Sequence, residues 1–277
     1  MSVAFLDEMA DASRERVRAA KHTRSEAALE VHVRQIPAPP RLRLDASGFD
    51  LIAELKLRSP AAGQLGAAGG NVAARVTAYA QAGAAAISVL TEPSHFDGSL
   101  EHLASATRAL APLAVPAMRK DFLVDPYQVL EARALGAGGV LVIVRMLSRS
   151  EIDALLDCAR SLAVFVLLEA FDARDIELMR ELIEAHAGAN QLLAGVNCRD
   201  LATLQVVPQR LLELAPLLPA RTPRVAESGV GSAADARQIV AAGYQLALVG
   251  SALMQADDPA ALAGVLLAAG RAARKAP

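Results

Sequence analysis

The chain has 277 residues, of which 53% are hydrophobic and 21% charged, and its formal net charge is −2. This length fits one large α/β barrel or two small domains, and the apolar content supplies a sizeable core, which excludes a disordered chain. The near-neutral charge argues against nucleic-acid binding by bulk attraction. No apolar run is long enough to span a bilayer, and the charged first 30 residues lack the apolar segment of a signal peptide. We therefore predict a cytoplasmic protein with no nucleic-acid or membrane partner.

The two cysteines, Cys158 and Cys198, are too few for a disulfide framework, and no metal-ligand spacing surrounds them. Both are predicted to be reduced and semi-buried, as is usual in a reducing compartment. No metal site is predicted.

The first 33 residues read as one or two amphipathic helices, because Phe5, Met9, Val17 and Ala20 are spaced to share one face. Prolines at positions 37, 39 and 40 then interrupt the helical pattern. We predict a helical extension over residues 1–45 and a main domain over residues 46–277. The extension is interpreted as a lid packed over one end of that domain, with a partner-binding arm as the alternative.

From residue 49 onward, short apolar runs rich in β-formers alternate with helical stretches rich in Ala, Leu, Arg and Glu. Strands that alternate with helices imply parallel βαβ units, and continuously apolar strands suit a sheet that is buried on both faces. The predicted strands cover residues 51–55, 86–90, 115–118, 140–144, 164–168, 192–196, 224–226 and 246–249.

A faint repeat supports closure of these strands into a barrel. Gly83, Gly136, Gly188 and Gly243 follow helical stretches at intervals of about 50 residues, where a glycine in the left-handed conformation commonly ends a helix. Two βα units per repeat give eight strands, the number in a TIM barrel. A doubly wound open sheet is the alternative, but the residues after the first strand are not the glycine-rich turn it requires. We predict an α/β fold, a single (β/α)8 TIM barrel with an N-terminal helical extension.

Polar residues end the predicted strands. A charge at the end of a buried strand is costly unless that end opens onto a polar site, so the carboxyl ends are predicted to share one pocket. Glu54 and Lys56 alternate along the first strand, which places both side chains on its inner face. A purely structural ion pair is the alternative for these two residues. The Ser59 hydroxyl follows at the barrel mouth, where it is suited to meet an anion.

Lys120 ends the third predicted strand. A lysine held among apolar neighbours and other cations tends to lose basicity, which suits it to general-acid or Schiff-base chemistry. The alternative is a solvated lysine in a turn.

Two later strand ends carry further candidates. Glu169 ends a strongly apolar strand, and desolvation there would fit it for proton transfer. Asn197 follows the sixth strand and can orient a carboxylate or a substrate hydroxyl. Arg199 is either an anion clamp or a structural tie.

Glycine-rich loops follow the seventh and eighth strands, around Ser228-Gly229 and Gly250-Ser251. Glycines let backbone N–H groups approach an anion, and each loop leads into a helix N-terminus. Paired loops at these positions form the common phosphate site of TIM barrels.

The sequence resembles the indole-3-glycerol phosphate synthase family from about residue 49 to residue 259. Many separate motifs, in order, carry the resemblance. They are IAELK at 52–56, SP at 59–60, ISVLT at 87–91, FDGS at 96–99, RKDF at 119–122, DPYQ at 125–128, LE at 168–169, GVN at 195–197, RDL at 199–201, VAESG at 225–229 and VGS at 249–251.

The resemblance implies ring closure of an anilino-deoxyribulose phosphate with loss of carbon dioxide and water, and no cofactor. It assigns Lys120 as the general acid at the substrate ketone, Glu169 as the proton-transferring carboxylate and Lys56 as the partner of the substrate carboxylate. The other residues it assigns are Glu54, Asn197 and Glu227, which orient the catalytic groups; Ser59, Ser228, Gly229, Gly250 and Ser251, which contact phosphate; and Phe96 and Phe122, which form apolar walls.

Some positions depart from the family pattern. The lysine usual after the Ser-Pro motif is missing from Ala61-Ala62-Gly63, and residues 67–71 lack the usual acidic and aromatic character. Gly138 and Cys198 replace residues common in the family. These changes bear on loop closure and turnover rate.

Three alternatives to the synthase activity are considered. The first is a specialised-pathway or non-catalytic paralogue, and the second is a phosphosugar isomerase or a Schiff-base aldolase. The third is a scaffold that acts through residues 1–33. A small phosphorylated substrate and a monomer or weak homodimer are expected.

Overall fold

The computed structural model describes residues 2–59, 63–64, 71–188, 191–200 and 203–275. Two helices precede the barrel, α1 (Ser2–Thr23) and α2 (Glu26–Gln35). On α1, Met9 and Val17 are buried, and Phe5 and Ala20 are partly buried on the same face, as the apolar spacing predicts. The Ser25 hydroxyl accepts a hydrogen bond from the N–H of Ala28 and so caps the start of α2.

Eight parallel strands close into a barrel, which confirms the predicted fold and excludes the open doubly wound sheet. The strand β1 pairs with both β4 and β10, and the remaining barrel strands pair in sequence order. The barrel strands are β1 (Asp50–Leu55), β4 (Ala86–Leu90), β5 (Ala117–Lys120), β6 (Gly139–Ile143), β7 (Phe165–Ala170), β8 (Leu192–Asn197), β9 (Arg224–Glu227) and β10 (Leu246–Val249).

Helices surround the barrel and connect its strands. They are α3 (Val72–Gln81), α4 (Pro93–Phe96), α5 (Leu100–Leu110), α6 (Pro126–Ala134), α7 (Arg149–Ser161), α8 (Ala173–Ala185), α9 (Gln209–Leu214), α10 (Ala233–Ala241), α11 (Ser251–Gln255) and α12 (Pro259–Lys275). The repeat glycines Gly83, Gly136, Gly188 and Gly243 all have φ between 74° and 100°, as predicted for residues that end helices.

A short hairpin follows β1 and was not predicted. Its strands are β2 (Arg58–Ser59) and β3 (Gly63–Gln64), which pair antiparallel. Most of the loop that departs from the family pattern, at 60–62 and 65–70, lies outside the described residues.

The third barrel strand begins two residues later than its predicted start. Pro116 has no N–H to give to the sheet, so β5 begins at Ala117 and extends to Lys120. The shift places Arg119 and Lys120 inside the strand on opposite faces. Lys120 shares the inner face with Met118, which packs among the residues that fill the barrel.

Inner-face residues form a core inside the barrel, and a second core lies between the strands and the helices. The inner core contains Ile52, Met118, Leu141, Phe165, Leu167, Leu193, Val225, Leu246 and Leu248. Because side chains alternate along a strand, Glu54, Glu169 and Glu227 each lie two residues beyond an inner-core residue. The same alternation that fills the barrel therefore delivers these carboxylates to its carboxyl end.

Candidate active site

The carboxyl ends of the barrel strands open into a cavity of about 550 Å3. It is the position at which TIM barrels carry their active sites. The predicted site residues that line it are Glu54, Lys56, Phe96, Lys120, Phe122, Glu169, Asn197, Arg199, Glu227, Ser228, Gly229, Gly250 and Ser251. The Ser59 side chain lies outside the described part of the chain. The structure thus brings thirteen of the fourteen predicted residues to one cavity.

Lys120 and Glu169 face each other across the cavity floor. Lys120 Nζ donates a hydrogen bond to Glu169 Oε2 at 3.0 Å, and it lies 4.0 Å from Glu227 Oε2. The two carboxylate side chains are 3% and 2% exposed, whereas the lysine is 17% exposed toward the cavity. Lys120 is therefore a partly buried ion-pair partner and not a solvated turn residue.

The expectation that Lys120 loses basicity is wrong. Burial by itself lowers the pKa of this ammonium, but the carboxylates of Glu169, Glu227 and Glu54 outweigh burial, and the net pKa is raised. The sequence suggested neighbouring cations, whereas the barrel surrounds Lys120 with acids. The lysine is consequently held in its protonated form, which can donate a proton but cannot act as a free amine.

Glu54 and Lys56 form a second ion pair at the end of β1. Lys56 Nζ lies 3.0 Å from Glu54 Oε1, and the side chains are 11% and 3% exposed. The predicted shared inner face is confirmed, and the lysine remains open to the cavity. The cavity therefore presents two ammonium groups, each held by a different carboxylate.

Glu227 is a buried acid of the cavity floor with a perturbed pKa. Burial raises the pKa of this carboxyl well above its usual range, and the negative charge of Glu169 raises it further. The Lys120 ammonium lowers it without offsetting these effects. Sequence reasoning treated Glu227 only as an orienting residue, because the strand end shows nothing of the two acids across the barrel.

Asn197, Ser228 and Arg199 are joined by hydrogen bonds. Asn197 Oδ1 accepts from the Ser228 hydroxyl at 2.9 Å and from the backbone N–H of Arg199 at 3.0 Å. The Arg199 guanidinium donates to the Leu204 carbonyl at 2.8 Å. Of the two roles predicted for Arg199, the structure therefore shows the tie to its own loop, although the residue also lines the cavity.

The two glycine-rich loops lie side by side at the cavity mouth. Ser228 and Gly229 both have positive φ, 68° and 74°, so the chain turns sharply after β9. The N–H groups of Gly231 and Ser232 already donate to the Asp235 carboxylate, at 3.0 and 2.9 Å. These two N–H groups are therefore engaged within their own loop and are not available to an anion at this mouth.

Three phenylalanines form an aromatic wall on one side of the cavity. The Phe5 ring lies 6.0 Å from Phe122, and Phe122 lies 6.2 Å from Phe96. Phe5 comes from α1, so the N-terminal helix lies over the cavity mouth, in agreement with the predicted lid. Sequence reasoning placed Phe5 on the apolar face of a helix, but no signal in the chain said that this face reaches the cavity.

A buried acid anchors α1 to the barrel. Asp121 Oδ1 accepts from Arg16 of α1 at 2.7 Å, and Asp121 Oδ2 accepts from the Thr91 hydroxyl at 2.7 Å. Burial raises the pKa of Asp121, but the guanidinium groups of Arg119 and Arg16 outweigh it and hold the pKa below its usual value. Asp121 directly follows Lys120, so the same strand end holds both the cavity lysine and the lid helix.

Within the described residues, no group of three or more His, Cys, Asp or Glu side chains is arranged to hold a metal ion. In that same part of the chain, no helix is both long and apolar enough to cross a membrane.

The chain is similar to known proteins both in sequence and in fold. A sequence model of the family described as indole-3-glycerol phosphate synthase matches residues 6–265. The indole-3-glycerol phosphate synthase of Parafrankia sp. (strain EAN1pec) is 41% identical over 267 residues, with 96% of each chain covered. That of Mycobacterium avium (strain 104) is 41% identical over 245 residues, which cover 87% of this chain and 86% of the relative.

A solved 3-hexulose-6-phosphate synthase from Salmonella typhimurium superposes with a TM-score of 0.61 at 14% identity. The superposition covers 80% of this chain and 98% of the solved one. At this identity the likeness shows the fold alone.

Proposed function

The chain belongs to the indole-3-glycerol phosphate synthase family, and we propose that its cavity converts 1-(2-carboxyphenylamino)-1-deoxyribulose 5-phosphate to indole-3-glycerol phosphate, carbon dioxide and water. The observation that carries the proposal is the ion pair between Lys120 and Glu169 at the cavity floor. The Lys120 ammonium is a proton donor and the Glu169 carboxylate a proton acceptor, and both can reach one bound substrate. A second ammonium, that of Lys56, lines the same cavity.

In the proposed first step, the Lys120 ammonium gives a proton to the substrate ketone oxygen while the ring carbon that bears the carboxylate bonds to the ketone carbon. The raised pKa of Lys120 keeps the proton on this group until the oxygen becomes basic. Lys56 pairs with the substrate carboxylate. When that carboxylate leaves as carbon dioxide, its electron pair restores the aromatic ring.

In the second step, the new hydroxyl takes another proton, from Lys56, and departs as water. Glu169 removes a proton from the carbon next to the nitrogen, and the double bond of the indole forms. Two protons enter and one leaves, which balances the loss of the negatively charged carboxylate. Glu54 holds Lys56 in place, and Asn197 and Glu227 orient the groups around Lys120 and Glu169.

The remaining cavity residues are proposed to bind the two ends of the substrate. Phe5, Phe96 and Phe122 offer an apolar wall for the aromatic ring. The phosphate is proposed to lie at the mouth, against Arg199, Ser228, Gly229, Gly250 and Ser251, which line the cavity. The family resemblance adds Ser59 to these contacts. Fixing both ends leaves the ketone near Lys120.

The competing Schiff-base aldolase needs a lysine that releases its proton easily. The raised pKa of Lys120 argues against that role, and Lys56 is paired with Glu54.

The surface offers little for a large subunit interface. Among the described residues, exposed large apolar side chains occur on several different elements, for example Val31 on α2 and Val265 on α12. We accordingly propose a monomer or weak homodimer that works in the cytoplasm, and light scattering after gel filtration would measure the mass.

The purified protein incubated with the substrate should develop the absorbance of an indole. Lys120→Met should remove about 10²-fold to 10⁴-fold of the rate, the range typical of a positioned acid. Lys21→Met is the matched control, because Lys21 pairs with Asp125 outside the cavity. A folded wild-type protein that forms no indole product would overturn the proposal.

A further inference from the structure

The cavity floor holds an unequal number of acids and bases. Three carboxyl groups, on Glu54, Glu169 and Glu227, share it with the ammonium groups of Lys56 and Lys120. If all five groups were ionised, the floor would carry one uncompensated negative charge away from water. An unpaired buried charge costs several kcal/mol, so such a site usually neutralises one group by protonation.

The pairing geometry identifies the acid left over. Lys56 lies 3.0 Å from Glu54, and Lys120 lies 3.0 Å from Glu169. Glu227 comes no closer to an ammonium than 4.0 Å, and neither of its buried oxygens accepts a hydrogen bond from any described protein donor. The carboxyl group also packs against β8, since a β-carbon at Gly195 would lie 2.3 Å from Glu227 Oε1.

We propose that Glu227 is a neutral carboxylic acid in the resting site and donates its proton in a hydrogen bond to Glu169. This inference rests on the proposed function and assigns Glu227 a positioning role within it. The neutral acid brings the charge of the floor to zero. It also leaves Glu169 as the carboxylate that holds the Lys120 ammonium in place.

The surroundings of Glu227 support this assignment. The charged groups that act on it are Glu54 on β1, Lys120 on β5 and Glu169 on β7, and the Tyr244 hydroxyl also interacts with it. Burial and the two acids raise its pKa, and the Lys120 ammonium opposes them. A hydrogen bond to Glu169 acts in the same direction as the burial.

The proton on Glu227 has a consequence for the pH dependence of the reaction. When the pH rises past the raised pKa of Glu227, a second carboxylate appears beside Lys120. It competes with Glu169 for the same ammonium, and the ion pair that positions Lys120 is divided between two acids. The rate should then fall on the alkaline side, while the protein is still folded.

Infrared difference spectroscopy tests the proposal without substrate. The wild type at neutral pH should show the carbonyl stretching band of a protonated carboxylic acid, which shifts in D2O and fades as the pH rises. Glu227→Gln should remove this band, whereas Glu151→Gln, the same change at an acid paired with Arg14 outside the cavity, should leave it in place. A band that survives in Glu227→Gln, or that is absent from the wild type, overturns the proposal. Because the measurement needs no turnover, it gives its answer even if the proposed reaction fails.

Kinetics provide a second readout. Glu227→Gln keeps a neutral hydrogen-bonding side chain, so kcat should fall by about tenfold, against about 10³-fold for Glu227→Ala. The alkaline limb of the kcat profile should move to higher pH in Glu227→Gln. Equal losses in the two variants with an unmoved limb would mean that the ionised form is the one required.

Discussion

Gly250 lies directly against the Glu54 carboxylate: a β-carbon built at Gly250 would be 2.3 Å from Glu54 Oε1. Real β-carbons do not approach an oxygen this closely, so any side chain at position 250 must displace Glu54. Since the Glu54 carboxylate pairs with Lys56 Nζ at 3.0 Å, moving Glu54 also moves the Lys56 ammonium group. Gly250 is thus required for the position of the acid beside it, in addition to the phosphate contact proposed for this glycine.

Gly250→Ala should therefore lower kcat by about 10²-fold, the cost of moving a catalytic group by roughly 1 Å. Gly264→Ala is the matched control, because that glycine lies in α12 with no atom within 4 Å of an added β-carbon. The control should gain about 0.5–1 kcal/mol in the free energy of unfolding. Steady-state kinetics and urea unfolding measure both. Full activity in Gly250→Ala would show that Glu54 can move without effect.

Arg16→Ala should loosen α1 from the barrel. The change removes the 2.7 Å hydrogen bond to Asp121, and a bond to a charged group is worth roughly 1.5–3 kcal/mol. Because Phe5 on α1 lines the cavity, KM should rise more than kcat falls. Thermolysin should also cleave within residues 2–35 more rapidly.

Arg18→Ala is the control for that experiment, since Arg18 lies on the same helix and pairs with Glu15 at the surface. Surface pairs of this kind contribute little, so its KM and cleavage rate should match the wild type. If the two variants behaved alike, the Arg16 contact would not anchor the helix.

Asp121 should contribute to acid stability. The pKa of Asp121 is lower in the folded protein than its ordinary value of 3.8, so the folded state favours the ionised form. The stability that ionised Asp121 contributes is fully present above pH 3.8, the pKa of an ordinary aspartate. It is lost as the pH falls through the lower pKa that Asp121 has in the folded protein. Asp121→Asn should cost about 3 kcal/mol at neutral pH and reduce the loss of stability at acid pH. Urea midpoints between pH 2 and pH 7 would measure the change, with Asp11→Asn as a surface control.

Both thiols should react slowly in the folded protein. Burial raises the pKa of Cys198 to about 11 and that of Cys158 to about 12. At pH 8 roughly one Cys198 in a thousand is therefore a thiolate, the reactive form. A disulfide reagent should label both residues promptly in guanidinium and only slowly in buffer. Cys198→Ser would assign the two phases, and fast labelling of the native wild type would contradict the prediction.

The sequence predicts the strand positions and the polar residues at the strand ends, because both depend on the local order of residues. Alternation of side chains along a strand put Glu54 and Lys56 on one face, and the repeated glycines marked the helix ends. The two-residue later start of β5 has a local cause too, since Pro116 cannot donate to the sheet. The glycine repeat predicted a closed barrel of eight strands, and the polar strand ends predicted that they share one cavity.

Tertiary structure alone decided the charge states and the reach of the lid helix. Lys120 is more basic than expected, and Glu227 holds its proton more tightly, because charges from strands far apart in sequence meet within a few ångströms. Phe5 joins the aromatic wall because a buried Asp121 fixes α1 over the mouth. The pKa of each group depends on its distances to all nearby charges across the barrel, and those distances exist only in the folded protein.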